Sequence, residues 1–287
     1  MATKTLQASI VKKFIPARKA NSRKGENGVV LVVGGSYIYH GAPILSSIAA
    51  LRAGSDLVYT SIPKINAQST RSISPNLIVI PFVDQKLTNG AVRKLLGIIP
   101  KNLDSATIGM GLAIAEKSAL KILVKSLLDN DVRLSLDASA LVSDILPLLA
   151  NKNVVVTPHT GEFKRLFGQI PAENKKQRIS AVEKFASQNG ITILLKGSTD
   201  VVSDGKTTYL NPKKIPAMTV GGTGDVLSGL VAGIMAKNRN ALEAAAAATF
   251  INGLAGKLVQ RKLGLHMTSM DLLDVIPQVM KQFDKIN

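Results

Sequence analysis

Residues 217–229 read AMTVGGTGDVLSG, and this stretch decides how the rest of the chain is interpreted. The segment Gly221–Gly224 carries little side-chain bulk, Asp225 follows at once, and residues 226–236 predict an apolar helix. A glycine-rich turn that opens a helix presents unpaired backbone N–H groups at the positive end of the helix dipole. The stretch therefore predicts a phosphate-binding site. The alternative is a structural turn in which Asp225 only caps the helix.

The composition indicates a globular protein, which we expect in the cytoplasm. Its 287 residues, 46% of them hydrophobic, are enough to bury a substantial core as one α/β domain. No run of about 20 apolar residues is free of charge or glycine, so no membrane span is predicted. The N-terminus has no apolar core, so no secretory signal is predicted. The absence of cysteine excludes disulfides, thiolate nucleophiles and thiolate metal sites.

The chain is strongly basic, with 36 Lys+Arg against 19 Asp+Glu and a formal net charge of +17. This balance is compatible with an anionic small substrate or with nucleic acid. Aromatic residues make up only 4% and Trp is absent, so a base-stacking surface is poorly supplied. We therefore expect no specific nucleic acid partner, although polyanions should bind non-specifically at low salt.

Residues 1–24 form a basic N-terminal segment with no acid before Glu26. We expect this segment to be a partly ordered, solvated arm. The alternative is a segment that packs on a neighbouring subunit through the apolar side of residues 10–15.

Apolar runs that alternate with helical patterns predict a doubly wound, mainly parallel α/β sheet flanked by helices within a single domain, 1–287. Val29–Val33 shows no polar alternation, which is typical of a strand buried on both faces. Asp204–Gly205 separates the two strands of a predicted hairpin. Strands are predicted at 29–33, 56–60, 76–80 (ended by Pro81), 105–108, 132–136, 154–157, 191–195, 200–203 and 207–210. Further helices are predicted at 41–53, 117–128, 141–149, 179–188, 241–259 and 269–282.

Polar clusters fall at the predicted carboxyl ends of several strands. In doubly wound sheets, ligands bind outside these ends of the strands. We therefore expect the clusters to form a single site. They are Gly34–Ser36, Gly109–Gly111, Asp137, Pro158–Glu162, Lys196–Gly197 and Gly221–Asp225.

Six segments of the chain resemble the ADP- or ATP-dependent NAD(P)H-hydrate dehydratase family, which has a ribokinase-like fold. The resemblance runs from Lys24 to Phe283. The segments are GGSYIYHGAPILSSIAALRAGSDLV (34–58), GMGL (109–112), LDASAL (136–141), TPHTGEF (157–163), LLKGSTDVV (194–202) and VGGTGDVLSG (220–229). GGTGD also occurs in other ribokinase-like kinases, whereas TPHTGEF together with the early GAP helix is more specific to the dehydratases.

The resemblance implies repair of hydrated NADH and NADPH, which are called NAD(P)HX, in their S form. Water has added to the nicotinamide ring of these damaged cofactors and has left a hydroxyl group at C6. ADP or ATP phosphorylates this hydroxyl, and elimination of phosphate then restores NAD(P)H. Phosphate is a good leaving group where hydroxide is a poor one. The first half-reaction is a kinase step, which depends mainly on positioning and charge stabilisation.

The resemblance also implies roles for individual residues. Asp225 is the expected base that takes the hydroxyl proton, and it also contacts the substrate. Ala42, Gly111 and His159 are the other expected substrate contacts, although His159 could instead be a loop histidine that hydrogen-bonds the backbone. The expected nucleotide contacts are Lys196, Gly197, Ser198, Thr199, Asp200, Gly222, Thr223 and Gly224. Asp137 and Glu162 are candidate ligands of Mg²⁺ or of a water network.

The chain departs from the family pattern at four points: Ala113 and Asn252 replace a glycine and a histidine, Ser139 replaces an acid, and Thr219–Val220 replaces Ala–Thr. The changes at Ala113 and Ser139 concern the surroundings of the metal and the phosphates, and none concerns the fold. Some relatives also carry an N-terminal epimerase domain, and we expect no epimerase activity here. The resemblance further implies a homo-oligomer, most simply a tetramer.

Two alternatives to the dehydratase interpretation stay open at this point. Another ribokinase-like kinase, for a vitamin precursor or a sugar, would leave a stable phosphorylated product instead of free phosphate. A basic nucleic-acid-binding protein on an inactive kinase fold would show a steep salt dependence with nucleic acid and no turnover. The presence of Asp225 and Lys196 argues against the second alternative.

Overall fold

The computed structural model describes residues 2–171 and 174–287, and a ten-stranded sheet forms the centre of this part of the chain. The strand order is β1-β10-β9-β8-β7-β6-β5-β2-β3-β4. The strands are β1 (Ala2–Thr5), β2 (Val29–Val33), β3 (Leu57–Pro63), β4 (Ile78–Phe82), β5 (Ser105–Ile108), β6 (Arg133–Leu136), β7 (Val154–Val156), β8 (Thr192–Leu195), β9 (Thr199–Ser203) and β10 (Thr207–Pro212). Only β9 pairs antiparallel with its neighbours within the described residues.

Helices cover both faces of this sheet. They are α1 (Ala8–Phe14), α2 (Gly41–Arg52), α3 (Lys64–Ile73), α4 (Asn89–Ile98), α5 (Lys117–Asp129), α6 (Leu146–Leu149), α7 (Thr160–Phe167), α8 (Lys175–Asn189), α9 (Thr223–Met235), α10 (Ala241–Leu263) and α11 (Ser269–Lys281). None of the helices in the described ranges combines the length and the apolar character that a membrane span requires.

The central strand β2 shows why the sheet needs helices on both faces. All five of its residues are buried, with exposures of 1% or less. Leu31 packs into the cluster formed with α4, α5 and α8, whereas Val30 and Val32 face the side of α9. An uninterrupted apolar run of this kind can be satisfied only between two helical layers. The prediction of a doubly wound, mainly parallel sheet is therefore confirmed.

The predicted strands and the hairpin around Asp204–Gly205 are confirmed, with ends that differ by up to three residues. The prediction that Pro81 ends its strand is wrong, because Pro81 lies within β4 and pairs with Ile62 of β3. β4 is at the edge of the sheet, so the missing N–H of proline leaves no neighbouring strand without a donor.

The helix predicted over 141–149 is wrong as one element. A 3₁₀ turn covers Ser143–Ile145, and the short helix α6 begins only at Leu146. Pro147 lies at the start of α6, where proline is tolerated, and it favours a new helix start over a continuous helix. Helices α1, α3, α4 and α7 were not predicted.

The expectation of a solvated N-terminal arm is wrong for residues 2–15. β1 pairs in parallel with β10, from Ala2 opposite Thr207 to Thr5 opposite Leu210. In α1, Phe14 is buried and its ring meets that of Tyr209 edge to face, with centroids 5.5 Å apart. The apolar side of this segment therefore packs on its own chain, and it covers the edge that β10 would otherwise expose.

Candidate active site

The glycine-rich turn ends at the first residue of α9, and its conformation depends on Gly222. This residue has φ +92°, and a Cβ atom there would lie 2.5 Å from Ser269 Oγ. No side chain of the described residues caps α9, so the N–H groups of its first turn are oriented outward without a capping acceptor. The sequence prediction of an anion-binding helix start is consistent with this geometry.

Helix α2 fixes the position of α9 beneath the turn. Gly229 lets the two helices meet, because a Cβ atom at this position would lie 2.0 Å from the carbonyl oxygen of Ser46. The hydroxyl of Ser46 donates a hydrogen bond of 2.7 Å to the backbone oxygen of Asp225. The carboxylate of Asp225 is thereby attached to a rigid part of the fold, as general base catalysis requires.

The carboxyl group of Asp225 has an unusual protonation equilibrium. Burial, followed by the negative charge of Asp137, raises its pKa to about 7; Glu162 adds to the rise and Lys196 opposes it. A general base works best when its pKa lies near the working pH, so Asp225 is suited to accept a proton from a substrate hydroxyl.

Lys196 lies at the end of β8 and joins the acidic groups. Its Nζ donates to Oδ1 of Asp137 at 2.8 Å and lies 3.6 Å from Oε2 of Glu162. Burial would lower the pKa of Lys196, but the attraction of Asp137 and Glu162 outweighs it, and the pKa is raised. The single positive charge of Lys196 therefore faces three acidic groups, Asp137, Glu162 and Asp225. This excess of negative charge favours the protonated form of Asp225.

His159 caps α7 through its side chain. Its Nδ1 accepts hydrogen bonds from the backbone N–H of Gly161 at 3.0 Å and of Glu162 at 3.3 Å. Glu162 Oε2 in turn accepts from the N–H of His159 at 2.8 Å, which completes a capping box. These are the backbone hydrogen bonds that the alternative interpretation of His159, as a loop histidine, predicts. Because Nδ1 is an acceptor, the neutral ring carries its proton on Nε2.

Two cavities meet at the glycine-rich turn. The first, which we call the Lys196 cavity, encloses about 540 Å³ and is lined by Lys196, Gly197, Ser198, His159, Thr223 and Gly224 among others. The second, the Ala42 cavity, encloses about 750 Å³ and is lined by Ala42, Gly111, Gly222 and Asp225 among others. The turn thus separates two spaces, each of a size suited to a small-molecule ligand.

The structure brings most of the sequence-predicted site residues to these two cavities. Ala42, Gly111 and Asp225 share one cavity, as the substrate assignment requires. His159 lines the Lys196 cavity, together with the predicted nucleotide contacts. Gly222 lines the Ala42 cavity, whereas Thr223 and Gly224 line the other.

Thr199 and Asp200 line neither cavity. Asp200 is fully buried, and its Oδ1 accepts from the N–H of Gly197 at 2.9 Å. Its Oδ2 accepts from the hydroxyl of Thr249 and lies 2.5 Å from Nζ of Lys213. Asp200 therefore stabilises the turn after β8 from the buried side. It also orients Lys213, which lines the Lys196 cavity.

Sequence reasoning missed several residues that line the cavities. Lys213 and Lys214 lie between β10 and the glycine-rich turn, and two adjacent lysines so close to a phosphate-binding motif were a usable signal. Lys86 belongs to a short polar loop and had no distinguishing pattern. The further missed lining residues are Tyr37, Tyr39, Met218, Leu227 and Asn252.

The acidic residues suit a metal that is bound chiefly through a nucleotide. Within 2–171 and 174–287, no three His, Asp or Glu side chains are grouped as a metal site. Mg²⁺ commonly uses only one or two carboxylates and completes its coordination with phosphates and water. Asp137 and Glu162, both in contact with Lys196, supply hard oxygen ligands of that kind.

Comparisons with known proteins agree with this geometry. The family model described as NAD(P)H-hydrate dehydratase matches residues 30–278. An ADP-dependent (S)-NAD(P)H-hydrate dehydratase of Nitrosopumilus maritimus is 77% identical over 286 residues, which cover 100% of both chains. A crystal structure of a ribokinase-like superfamily protein from Enterococcus faecalis has a TM-score of 0.81 at 25% identity and covers 98% of this chain and 96% of its own.

One further solved structure carries information on ligands. It is the ADP/ATP-dependent NAD(P)H-hydrate dehydratase of Bacillus subtilis co-crystallised with ATP/Mg²⁺, with a TM-score of 0.82 and 26% identity over 99% of this chain and 100% of that one. The fold is thus that of a ribokinase-like enzyme. Within that class, the chain belongs to the NAD(P)H-hydrate dehydratase family.

Proposed function

We propose that this enzyme converts the S form of hydrated NADH and NADPH back to NADH and NADPH in a nucleotide-dependent dehydration. The observation that carries the proposal is the position of Asp225, whose pKa is raised to about 7 and which lines the Ala42 cavity directly after Gly224, a residue of the Lys196 cavity. The Lys196 cavity would take the nucleotide, and the Ala42 cavity would take the hydrated dinucleotide. The name of the Nitrosopumilus relative supports the same reaction.

The first step is a phosphoryl transfer to the C6 hydroxyl group. Asp225 takes the hydroxyl proton, and the hydroxyl oxygen forms a bond to the terminal phosphorus of the nucleotide. The bond from that phosphorus to the rest of the nucleotide breaks, so that ADP yields AMP or ATP yields ADP. Backbone N–H groups of Gly222, Thr223 and Gly224 would stabilise the negative charge of the transferring group.

The second step is an elimination from the phosphorylated ring. The C6–O bond breaks and its electrons leave with the phosphate, while the lone pair of the ring nitrogen forms a double bond to C6. Loss of a proton from C5 restores the C5–C6 double bond of NAD(P)H. No redox partner is needed, because the net change in the dinucleotide is the loss of water. The oxygen of this water leaves in the phosphate, and its two hydrogens leave as protons.

The binding roles follow the division between the cavities. Lys196, Gly197 and Ser198 would contact the nucleotide phosphates or ribose, and Thr199 and Asp200 would act through the conformation of this turn. Ala42 and Gly111 would contact the hydrated dinucleotide. His159, which lines the Lys196 cavity, would bind the dinucleotide through its Nε2 proton in place of its present neighbour, Oε1 of Glu162 at 3.5 Å.

We propose Mg²⁺ as the resident ion and ADP as the donor. Mg²⁺ would supply positive charge on the phosphoryl oxygens, and Asp137 and Glu162 would hold it together with the nucleotide. The Nitrosopumilus relative is named as ADP-dependent, whereas the Bacillus structure was obtained with ATP/Mg²⁺. A comparison of ADP and ATP at equal concentration, with and without Mg²⁺, tests both parts.

The decisive experiment uses enzymatically prepared (S)-NADHX. We expect absorbance of the dihydronicotinamide to return only with nucleotide, accompanied by one phosphate for each NADH. A stable phosphorylated dinucleotide without NADH would instead identify a simple kinase. Heat-inactivated protein and the parent protein without nucleotide are the controls.

Assembly and location are also proposals. We propose a single domain over 1–287, a homo-tetramer, a cytoplasmic location, and no specific nucleic acid or membrane partner. The tetramer is supported by the family resemblance alone, because the apolar side of residues 10–15 packs on its own chain. A monomer in sedimentation at micromolar concentration would contradict the tetramer.

A further inference from the structure

We propose that Lys86 binds a phosphate group of the hydrated dinucleotide and is the main cationic contact of that substrate. This inference rests on the proposed function, because it assumes that the Ala42 cavity takes NAD(P)HX. The dinucleotide carries two phosphates in its central bridge, and NADPHX carries a third on its adenine ribose. The proposed function assigns the N–H groups of Gly222, Thr223 and Gly224 to the transferring phosphoryl group of the nucleotide, so the phosphates of the dinucleotide need another partner.

The distribution of charge between the two cavities singles out Lys86. Three lysines line the Lys196 cavity, namely Lys196, Lys213 and Lys214. Lys86 alone supplies a positive side chain among the described residues that line the Ala42 cavity, and Asp225 supplies the negative one. A substrate with at least two negative charges therefore meets one cation in the cavity where its reactive ring must lie.

The backbone at Lys86 is held firmly against the rim of the site. Leu87 is fully buried, and its N–H donates to the carbonyl oxygen of Ala113 at 2.7 Å. The carbonyl oxygen of Leu87 accepts from the N–H of Ala115 at 3.0 Å. Ala113 itself lines the Ala42 cavity, just after Gly111. Lys86 is thus attached to the same loop that is expected to contact the substrate.

The charge of Lys86 is available to a ligand. Its side chain is exposed, and no acidic side chain within the described ranges forms an ion pair with it. The nearby carboxylate of Asp84 accepts instead from the hydroxyl of Thr88 at 2.5 Å. Lys86 therefore does not need to break an ion pair before it contacts a phosphate.

The strand order separates Lys86 from the reacting end of the site. Asp225 interacts with Lys196 and Asp137, which follow β8 and β6. Lys86 follows β4, which is the edge strand on the far side of β5, β2 and β3. A dinucleotide with its nicotinamide ring at Asp225 carries its ribose and then its phosphates away from that point. Extension along the Ala42 cavity brings these phosphates toward Lys86.

The phosphate bound by Lys86 is either the bridging pyrophosphate or the 2′-phosphate of NADPHX, and the two sources give different results. Contact with the pyrophosphate affects NADHX and NADPHX alike. Contact with the 2′-phosphate affects only NADPHX and makes Lys86 the residue that sets cofactor preference. In both cases the KM of the nucleotide should stay unchanged, because Lys86 does not line the Lys196 cavity.

The test compares Lys86→Met with Lys94→Met, an exposed lysine of α4 that lines neither cavity. We expect Lys86→Met to raise KM for NADPHX by at least about tenfold, which is about 1.4 kcal/mol, because a charge-assisted contact to the phosphate is lost. Lys94→Met controls for the loss of one charge and should leave KM unchanged. Lys86→Arg should retain most of the parent affinity.

Binding of NADH and NADPH, followed by the fluorescence of the dihydronicotinamide, gives a second readout without turnover. The inference is wrong if Lys86→Met binds and converts both dinucleotides as Lys94→Met does. It is also wrong if Lys86→Met raises the KM of the nucleotide by the same factor. A parent enzyme that binds NADPH but does not repair NADPHX would overturn the proposed function, and the binding comparison would still decide the role of Lys86.

Discussion

The ammonium group of Lys196 lies 2.8 Å from Oδ1 of Asp137, and this ion pair controls the charge around Asp225. Asp137 is almost fully buried, so its negative charge is weakly screened and acts on Asp225. Lys196 offsets only part of this charge, because Glu162 adds a second carboxylate at 3.6 Å. The consequence is a carboxyl group that exchanges its proton near neutral pH.

Replacement of Asp225 by Asn should abolish most of the dehydratase activity. The amide keeps the shape of the side chain and removes the proton acceptor, which typically costs about 10²–10⁴ in rate. Steady-state kinetics with NADHX measures the loss, and calorimetric titration with ADP should give nearly the parent affinity. Turnover of Asp225→Asn at the parent rate would disprove the assignment of the base.

The activity should rise with pH around neutrality and then level off. Catalysis needs the ionised form of Asp225, whose pKa is about 7, so kcat/KM should be lost as the pH falls through that value. Asp137→Asn removes a negative neighbour, and the midpoint should move to lower pH. Asp129→Asn, on the exposed end of α5, is the matched control and should leave the midpoint in place. A midpoint that is unaffected by Asp137→Asn would exclude this electrostatic coupling.

The same group should lower the stability of the enzyme as the pH rises from about 4 to about 7. The folded protein holds the proton of Asp225 between its ordinary pKa of 3.8 and about 7, whereas the unfolded chain has released it. Stability therefore falls as pH rises through this window, because the folded state binds more protons. Asp225→Asn should raise Tm above pH 7 and have little effect at pH 4; for a domain of this size about 1 kcal/mol corresponds to roughly 2–4 °C. Thermal melts at both pH values give the answer, and an equal gain at both would rule out ionisation as the cause.

Asp200→Asn should destabilise the enzyme and weaken nucleotide binding together. The substitution leaves the ammonium of Lys213 without its partner and weakens the acceptor for the N–H of Gly197. Loss of one partner of a buried ion pair costs about 3–5 kcal/mol. Urea unfolding and the KM of ADP are the measurements. Asp274→Asn, on an exposed position of α11, is the control; a variant that retains its stability and shows only a higher KM would mean that Asp200 contacts the nucleotide directly.

His159→Ala should mainly raise the KM of NAD(P)HX, and His159→Asn should separate this role from helix capping. The alanine variant loses the cap of α7, worth about 0.5–2 kcal/mol, whereas asparagine can still cap the helix. Loss of the substrate hydrogen bond costs about 0.5–1.5 kcal/mol for a neutral ring. Kinetics with each substrate varied in turn distinguishes the two effects. A large loss of nucleotide affinity alone would instead assign His159 to the nucleotide site, in the Lys196 cavity that its side chain lines.

The parts of the fold that could be predicted from sequence are those with a local cause. Val29–Val33 is apolar throughout, and an uninterrupted apolar run is typical of a strand buried on both faces. The residues that follow β5, β6, β7 and β8 meet at one edge because parallel strands direct their carboxyl ends to the same side. This rule predicts that Asp137 and Lys196 lie together, as they do. It does not apply to Asp225, because a 3₁₀ turn over Pro216–Thr219, and not a strand, precedes the glycine-rich turn.

The remaining features depend on contacts that are distant in sequence. Pro81 is acceptable in β4 only because that strand is at the sheet edge, and the pairing of β1 depends on the position of β10. Gly222 and His159 each line one of the two cavities and not the other. Which cavity each residue lines depends on how α9 and α7 pack, and no local sequence pattern determines this packing. The hydrogen bond between Leu87 and Ala113 holds Lys86 beside the site, and the two segments that it joins meet only in the folded protein.

The pairing of β1 with β10 also constrains the order of events during synthesis. Ala2 lies opposite Thr207, so the first strand leaves the ribosome long before its partner exists. The β10 edge is completed only when most of the chain has been made, and contacts of such long range form late in folding. An extension fused before β1 is synthesised before β10 exists, and after folding it lies next to the β1 edge of the sheet.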